Sequence, residues 1–169
     1  MDPFEALRGR HVAIVEVGPR DGLQNESAIV STADKVTFVD MLSAAGLSVI
    51  EVSAFVNPKR VPQMSDATEV FAGIVQRPGT RYTALVPNLD GLHRALAAGL
   101  SEIAIFAAAS ESFSRANINQ GIEASLAGYA RVCERAHQMG MPVRGYLSTA
   151  FGCPYEGDRK STRLNSSHG

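Results

Sequence analysis

Ala45-Gly46-Leu47-Ser48-Val49-Ile50-Glu51-Val52-Ser53 is the stretch whose reading decides the fold. A helical segment stops at Gly46, the position just past a helix end where glycine accepts a left-handed backbone, and a short apolar run rich in β-branched residues follows. The junction recurs as Ala98-Gly99-Leu100-Ser101, and Met139-Gly140-Met141-Pro142 is a looser third copy. Repetition of helix, glycine and buried strand predicts right-handed βαβ units and a parallel sheet.

On the upstream side, Val12-Ala13-Ile14-Val15 is too short for a helix and predicts a first strand over 11–17. Ser31 with Asp34 resembles a weak capping box, and Ala33, Val36, Val39 and Leu42 continue at near-helical spacing to Gly46. Downstream, Asn57-Pro58-Lys59 and Pro62 open a loop, 66–76 reads as a helix, and Pro78-Gly79 as a turn. A strand over 81–86 follows, then a helix capped by Asn88 that runs through Leu92, Leu96 and Ala98 to Gly99. The run 102–109 is almost wholly apolar, as expected of a strand covered on both faces. Ile122, Leu126, Tyr129, Cys133, Ala136 and Met139 mark the next helix, and 143–149 a fifth strand. Five strands and four helices define an α/β chain, and the pattern admits a doubly wound domain or the first part of a (β/α)₈ barrel.

The chain has 169 residues, 45% hydrophobic and 20% charged, with a formal net charge of -1, so one core is expected and no general attraction to nucleic acid or an anionic membrane. No run approaches transmembrane length, and the first ten residues are too charged for a secretory segment. Cys133 and Cys153 lack metal or redox spacing. A cytoplasmic protein acting on small molecules is the expectation. Residues 1–157 are expected to form one unit. The segment 158–169 holds one large apolar residue and is expected to be an unstructured, non-native tail, with His168 incidental.

Chemistry concentrates in Val15-Glu16-Val17-Gly18-Pro19-Arg20-Asp21-Gly22-Leu23-Gln24-Asn25-Glu26. Gly18 and Pro19 end the strand and Gly22 is expected to let the backbone fold tightly, presenting Arg20 and Asp21 at a strand's carboxyl end, where α/β proteins bind ligands. Two readings stand at this point: a structural salt bridge, or a metal-ligand carboxylate beside a cation that stabilises an oxyanion.

That stretch, together with Ser48-Val49-Ile50-Glu51, Val61-Pro62-Gln63-Met64, Val143-Arg144-Gly145-Tyr146 and Gly152-Cys153-Pro154-Tyr155-Glu156-Gly157, resembles the hydroxymethylglutaryl-CoA lyases, through about Gly157. The resemblance implies an incomplete (β/α)₈ barrel supplying the first five strands. It also implies cleavage of 3-hydroxy-3-methylglutaryl-CoA to acetyl-CoA and acetoacetate in leucine breakdown, a divalent cation (Mg²⁺ or Mn²⁺), an acyl-CoA substrate and a homo-oligomeric full-length enzyme. It makes Asp21 a metal ligand, and sets Arg20 against the thioester oxygen where negative charge develops. Glu51 would orient Arg20, join a proton network, or simply pair with the arginine. Gln24 is a candidate substrate contact, and Gln24 and Asn25 serve equally well as turn residues.

The family's His-x-His metal pair, metal-binding asparagine and catalytic cysteine are absent. His11, His93, His137 and His168 lack the spacing, and the context of Cys153 matches a non-catalytic loop after the fifth strand. The isolated chain is therefore expected to be inactive and, with an open sheet edge, unstable or self-associating. The alternatives are a longer-chain 3-hydroxyglutaryl-CoA lyase, an isopropylmalate or homocitrate synthase-like acyltransferase, and a non-catalytic interaction domain.

Overall fold

The computed structural model describes Gly9 and residues 11–157, so the expectations for 158–169 and His168 lie outside the described residues. In chain order the elements are β1 (Val15–Glu16), α1 (Thr32–Ala44), β2 (Val49–Ala54), α2 (Ala67–Gly73), β3 (Arg81–Leu85), α3 (Leu89–Ala97), β4 (Ile103–Ala108), α4 (Glu111–Ile118), α5 (Ile122–Gln138) and β5 (Val143–Ser148). The strands form one five-stranded sheet in the order β1-β2-β3-β4-β5, every neighbouring pair parallel. A doubly wound sheet reverses direction at a switch point; this one steps one way only, as a barrel wall does. The described chain is thus half of a (β/α)₈ barrel.

The two faces of the wall differ. Ile50, Val52, Tyr82, Ala84 and Ile103 face outward into the larger apolar cluster, with Val39, Phe71, Leu92 and Val132 from the helices. Inward, Ala54, Leu85 and Ala104 pack with Met64, and Leu23, Phe106 and Tyr146 lie against them. Glu51 faces inward by ordinary alternation between Ile50 and Val52, and a register shift between Glu51 and Ser53 in β2 then breaks the alternation, placing Ala54 inward and Phe55 outward.

Gly46, Gly99 and Gly140 have φ of 86°, 80° and 70°, the left-handed conformation expected at each helix-to-strand junction. Ser31 and Asn88 cap α1 and α3 through their side chains, accepting from the amides of Asp34 and Gly91. Three local expectations change. The first strand shrinks to Val15–Glu16, with Val12 and Ile14 exposed, because β2 is its one neighbour. In α1, Lys35 and Ser43 are buried beside Val39, since Lys35 donates to Asp66 Oδ1 at 2.7 Å and to the Gln63 carbonyl, and Ser43 to the Val39 carbonyl at 2.8 Å. A further helix, α4, stands where the sequence reading has none.

Two glycines test the packing in opposite directions. A Cβ on Gly91 would meet the Phe55 carbonyl oxygen at 2.6 Å, whereas one on Gly128, inside α5, would meet nothing within 4 Å. Gly91→Ala is expected to lower the melting temperature, and Gly128→Ala to raise stability by about 0.5–1 kcal/mol, as removing a helix-interior glycine does. Thermal unfolding followed by circular dichroism checks both.

Candidate active site

Between β1 and α1 the chain makes a single wide helical turn, Gly18–Gly22, in which the amides of Arg20 and Asp21 both reach the Val17 carbonyl, at 3.1 and 2.7 Å. Pro19 is buried beneath it and Arg20 and Asp21 are carried above. The Gly18 amide donates to Glu16 Oε1 at 2.7 Å, and a Cβ there would meet that oxygen at 2.8 Å, so a larger residue would displace the glutamate side chain. Gly22, expected to provide the flexibility, has no positive φ and nothing within 4 Å of a Cβ, so the turn does not depend on it.

Arg20 is held from two sides. Its Nε donates to Glu51 Oε1 at 2.6 Å and one terminal nitrogen to Asp21 Oδ1 at 2.7 Å. The Glu51 side chain is wholly buried, that of Arg20 is 13% exposed and that of Asp21 57% exposed. Tyr146 of β5 donates its hydroxyl to the second Glu51 oxygen, Oε2, at 2.9 Å, closing a bridge across the inside of the wall. Sequence reasoning missed Tyr146 as a partner because the two residues are 95 positions apart. Burial first, then the Glu51 charge and hydrogen bond, push the Tyr146 hydroxyl up to about 12.

Arg20, Asp21 and Gln24 line one open cavity of about 970 Å³, which Phe106, Tyr146 and the α4 residue Asn117 also reach. Asn25 does not line it; its side chain donates to the Asp21 carbonyl at 2.7 Å and serves the turn. The α4 wall carried a legible signal: Ser110 caps it, Glu111 sits in its first turn, and Asn119 ends it in the left-handed conformation at φ 57°.

Asp21 offers one hard oxygen ligand on the cavity wall, with one of its oxygens taken by Arg20. That fits a single position in the coordination of a divalent cation. Among the described residues no group of three or more His, Cys, Asp or Glu is placed to hold a metal. His11, His93 and His137 are exposed, the last two on helices, and none lines the cavity. Two buried polar atoms of the sheet, Thr83 Oγ1 and Arg144 Nε, have no hydrogen-bond partner among the described residues. Thr83 stands beside Glu51 in the β2–β3 register.

Cys153 is buried outside the cavity lining, with its sulfur 2.9 Å from Ser110 Oγ. Burial pushes the thiol up, but hydrogen bonds from Ser110 and from the Tyr155 and Glu156 amides outweigh it and hold the thiol below its ordinary value. The contact ties the loop after β5 to the start of α4. Cys133, on the apolar stripe that marked the helix in the sequence, is half-buried on α5.

The Tyr146–Glu51 contact has a titration signature. A tyrosine whose pKa is raised in the folded state adds stability that is complete below its unfolded value near 10 and lost as pH rises through about 12. In a tyrosinate absorbance titration, Glu51→Gln is expected to bring this ionisation down from about 12 without reaching 10, because burial, the larger cause, remains. Tyr146→Phe assigns the step.

No helix among the described residues is long and apolar enough to cross a membrane. The chain is 60% identical over 147 residues to the Rattus norvegicus protein named 3-hydroxy-3-methylglutaryl-CoA lyase, cytoplasmic, an alignment covering 87% of this chain and 43% of that one. It is 58% identical over 149 residues to the 3-hydroxy-3-isohexenylglutaryl-CoA/hydroxy-methylglutaryl-CoA lyase of Pseudomonas aeruginosa, covering 88% and 50%. The crystal structure of hydroxymethylglutaryl-CoA lyase from Pseudomonas aeruginosa superposes with a TM-score of 0.84 at 58% identity, covering 87% of this chain and 49% of that one. The chain thus spans half or less of the length of these relatives. The HMGL-like family profile matches residues 11–166, and the chain belongs to that family.

Proposed function

We propose that this chain carries the enolate-handling half of a carbon–carbon lyase site for 3-hydroxy-3-methylglutaryl-CoA, yielding acetyl-CoA and acetoacetate. The observation that carries the reading is Arg20, fixed by buried Glu51 and delivered with Asp21 to a cavity with room for a substrate of acyl-thioester size. The names of the relatives support the substrate class. The rat relative's name also supports the expected place in the cytoplasm, and a role in leucine breakdown is part of the same proposal.

The reaction removes the proton of a tertiary hydroxyl and breaks the adjacent carbon–carbon bond. The bonding pair passes to the thioester fragment as an enolate, the hydroxyl carbon becomes the acetoacetate ketone, and a proton added to the enolate carbon completes acetyl-CoA. Arg20, permanently charged, faces the thioester oxygen where the negative charge collects. Glu51 has both oxygens engaged, by Arg20 and Tyr146, so it acts as a positioning residue that sets the guanidinium rather than as a base. Gln24 stands on the same wall to contact substrate.

Members of the HMGL-like family are metal-dependent. We assign Asp21 as one ligand of Mg²⁺ or Mn²⁺, which when bound supplies a hard positive charge that orders substrate oxygens and favours loss of the hydroxyl proton. The other ligands lie outside the described residues, so the chain by itself is expected to release no acetoacetate.

The Pseudomonas relative's name includes an isohexenylglutaryl substrate, and the apolar residues Leu85, Phe106 and Phe113 on the cavity wall favour a longer acyl chain as the second reading. Product analysis with both thioesters separates the two.

The direct test is complementation. The chain, co-expressed with the part of the Pseudomonas relative that it does not cover, is expected to release acetoacetate from 3-hydroxy-3-methylglutaryl-CoA in a cation-dependent manner. Arg20→Gln is expected to lower kcat about 10²–10³-fold, as removal of an oxyanion-stabilising donor does, and Asp21→Ala to abolish the cation dependence. Full activity in either variant, or turnover by the chain alone, would contradict the assignment.

A further inference from the structure

Among the described residues that line the cavity, the cations are Arg20 and Arg60 and the carboxylate is Asp21. Arg20 is shared between Asp21, at 2.7 Å, and the buried Glu51, at 2.6 Å. The cavity cation left without an ion-pair partner among the described residues is therefore Arg60, which is exposed.

An exposed arginine is usually only solvated, but this one rides on a fixed turn. Asn57 Oδ1 accepts from the Lys59 amide at 3.0 Å, and the Asn57 carbonyl from the amides of Arg60 and Val61, at 2.9 and 3.1 Å. The turn runs directly into a short helical turn, Pro62–Met64, with Gln63 and Met64 buried. The Gln63 side chain accepts from the Val30 amide at 3.0 Å and donates to the carbonyls of Leu23 and Ala28, at 3.1 and 3.0 Å. Gln63 thereby ties the Arg60 turn to the loop that leaves Asp21, so an exposed guanidinium is presented from a backbone that binding need not order.

We infer that Arg60 receives an anionic oxygen group of the acyl-CoA ligand and contributes to its selection. The inference rests on the acyl-CoA reading of the cavity. Two parts of such a ligand carry this chemistry: the terminal carboxylate of the acyl group and the phosphates of the coenzyme. Arginine serves both because its planar fork matches either oxyanion.

The test measures dissociation constants by calorimetry on the full 169-residue chain, for three probes. These are 3-hydroxy-3-methylglutaryl-CoA, coenzyme A, which has phosphates but no acyl carboxylate, and 3-hydroxy-3-methylglutaryl-pantetheine, which has the carboxylate but no phosphate. Arg60→Gln is expected to weaken binding of the first probe about tenfold, as loss of one charge-assisted contact does. Arg60→Lys is expected to keep most of the affinity. Lys59→Gln, the exposed neighbour that does not line the cavity, is expected to change nothing.

Weakening retained with the pantetheine thioester assigns the carboxylate, and weakening retained with coenzyme A assigns the phosphates. Equal affinities of wild type and Arg60→Gln for all three probes overturn the inference while leaving the lyase reading intact. An equal loss in Lys59→Gln also overturns it, by showing a diffuse field instead of a contact. Absence of binding to any probe by the wild-type chain overturns the acyl-CoA reading and the Arg60 assignment together.

Discussion

The buried ion pair of Arg20 with Glu51 is the constraint on which the site depends. Glu51 lies on β2 with no exposure to solvent, and a carboxylate so placed is tolerated only when paired and hydrogen-bonded. Arg20 satisfies one oxygen and Tyr146 the other, so residues from the β1 corner, β2 and β5 converge on one carboxylate. Removing the arginine would strand a buried charge, a loss of about 3–5 kcal/mol in comparable pairs. The same geometry aims the guanidinium, so the contact that stabilises the interior also sets the chemistry.

Division of labour between the two faces of the sheet makes that interior available. The outer face packs helices over Ile50, Val52, Tyr82 and Ile103 and supplies most of the apolar burial. The inner face is left to a smaller cluster and to polar groups. Glu51 and its register neighbour Thr83 belong to this side, and Thr83 Oγ1 is buried with no hydrogen-bond partner among the described residues.

Much of the fold was legible because its signals are local. The glycines at 46, 99 and 140 end helices through a backbone conformation that a side chain disfavours, a strand follows each, and the first two of those strands are apolar runs rich in β-branched or small residues. The α4 helix was passed over because its sequence, Glu111-Ser112-Phe113-Ser114-Arg115-Ala116-Asn117-Ile118, is short and mostly polar, although Ser110 and Asn119 mark its ends. Lys35 defeats a hydrophobic-stripe reading of α1 for a different reason: its burial is compensated by Asp66 and Gln63, both distant in sequence.

By itself the sequence determined the βα rhythm, the resemblance to the lyase family, and the presence of Arg20 and Asp21 at the end of a strand. All of these depend on neighbours within a few residues. The βα pattern left barrel and doubly wound sheet open and the resemblance implied the barrel; strand order, which no local pattern encodes, bears that out. Tertiary structure alone also brought Tyr146 to Glu51, shifted the register of β2 after Glu51, and left Arg60 as the cavity cation without an ion-pair partner among the described residues. Each of these is a relation between residues far apart in the chain, set by how the sheet curves and not by what any one segment prefers.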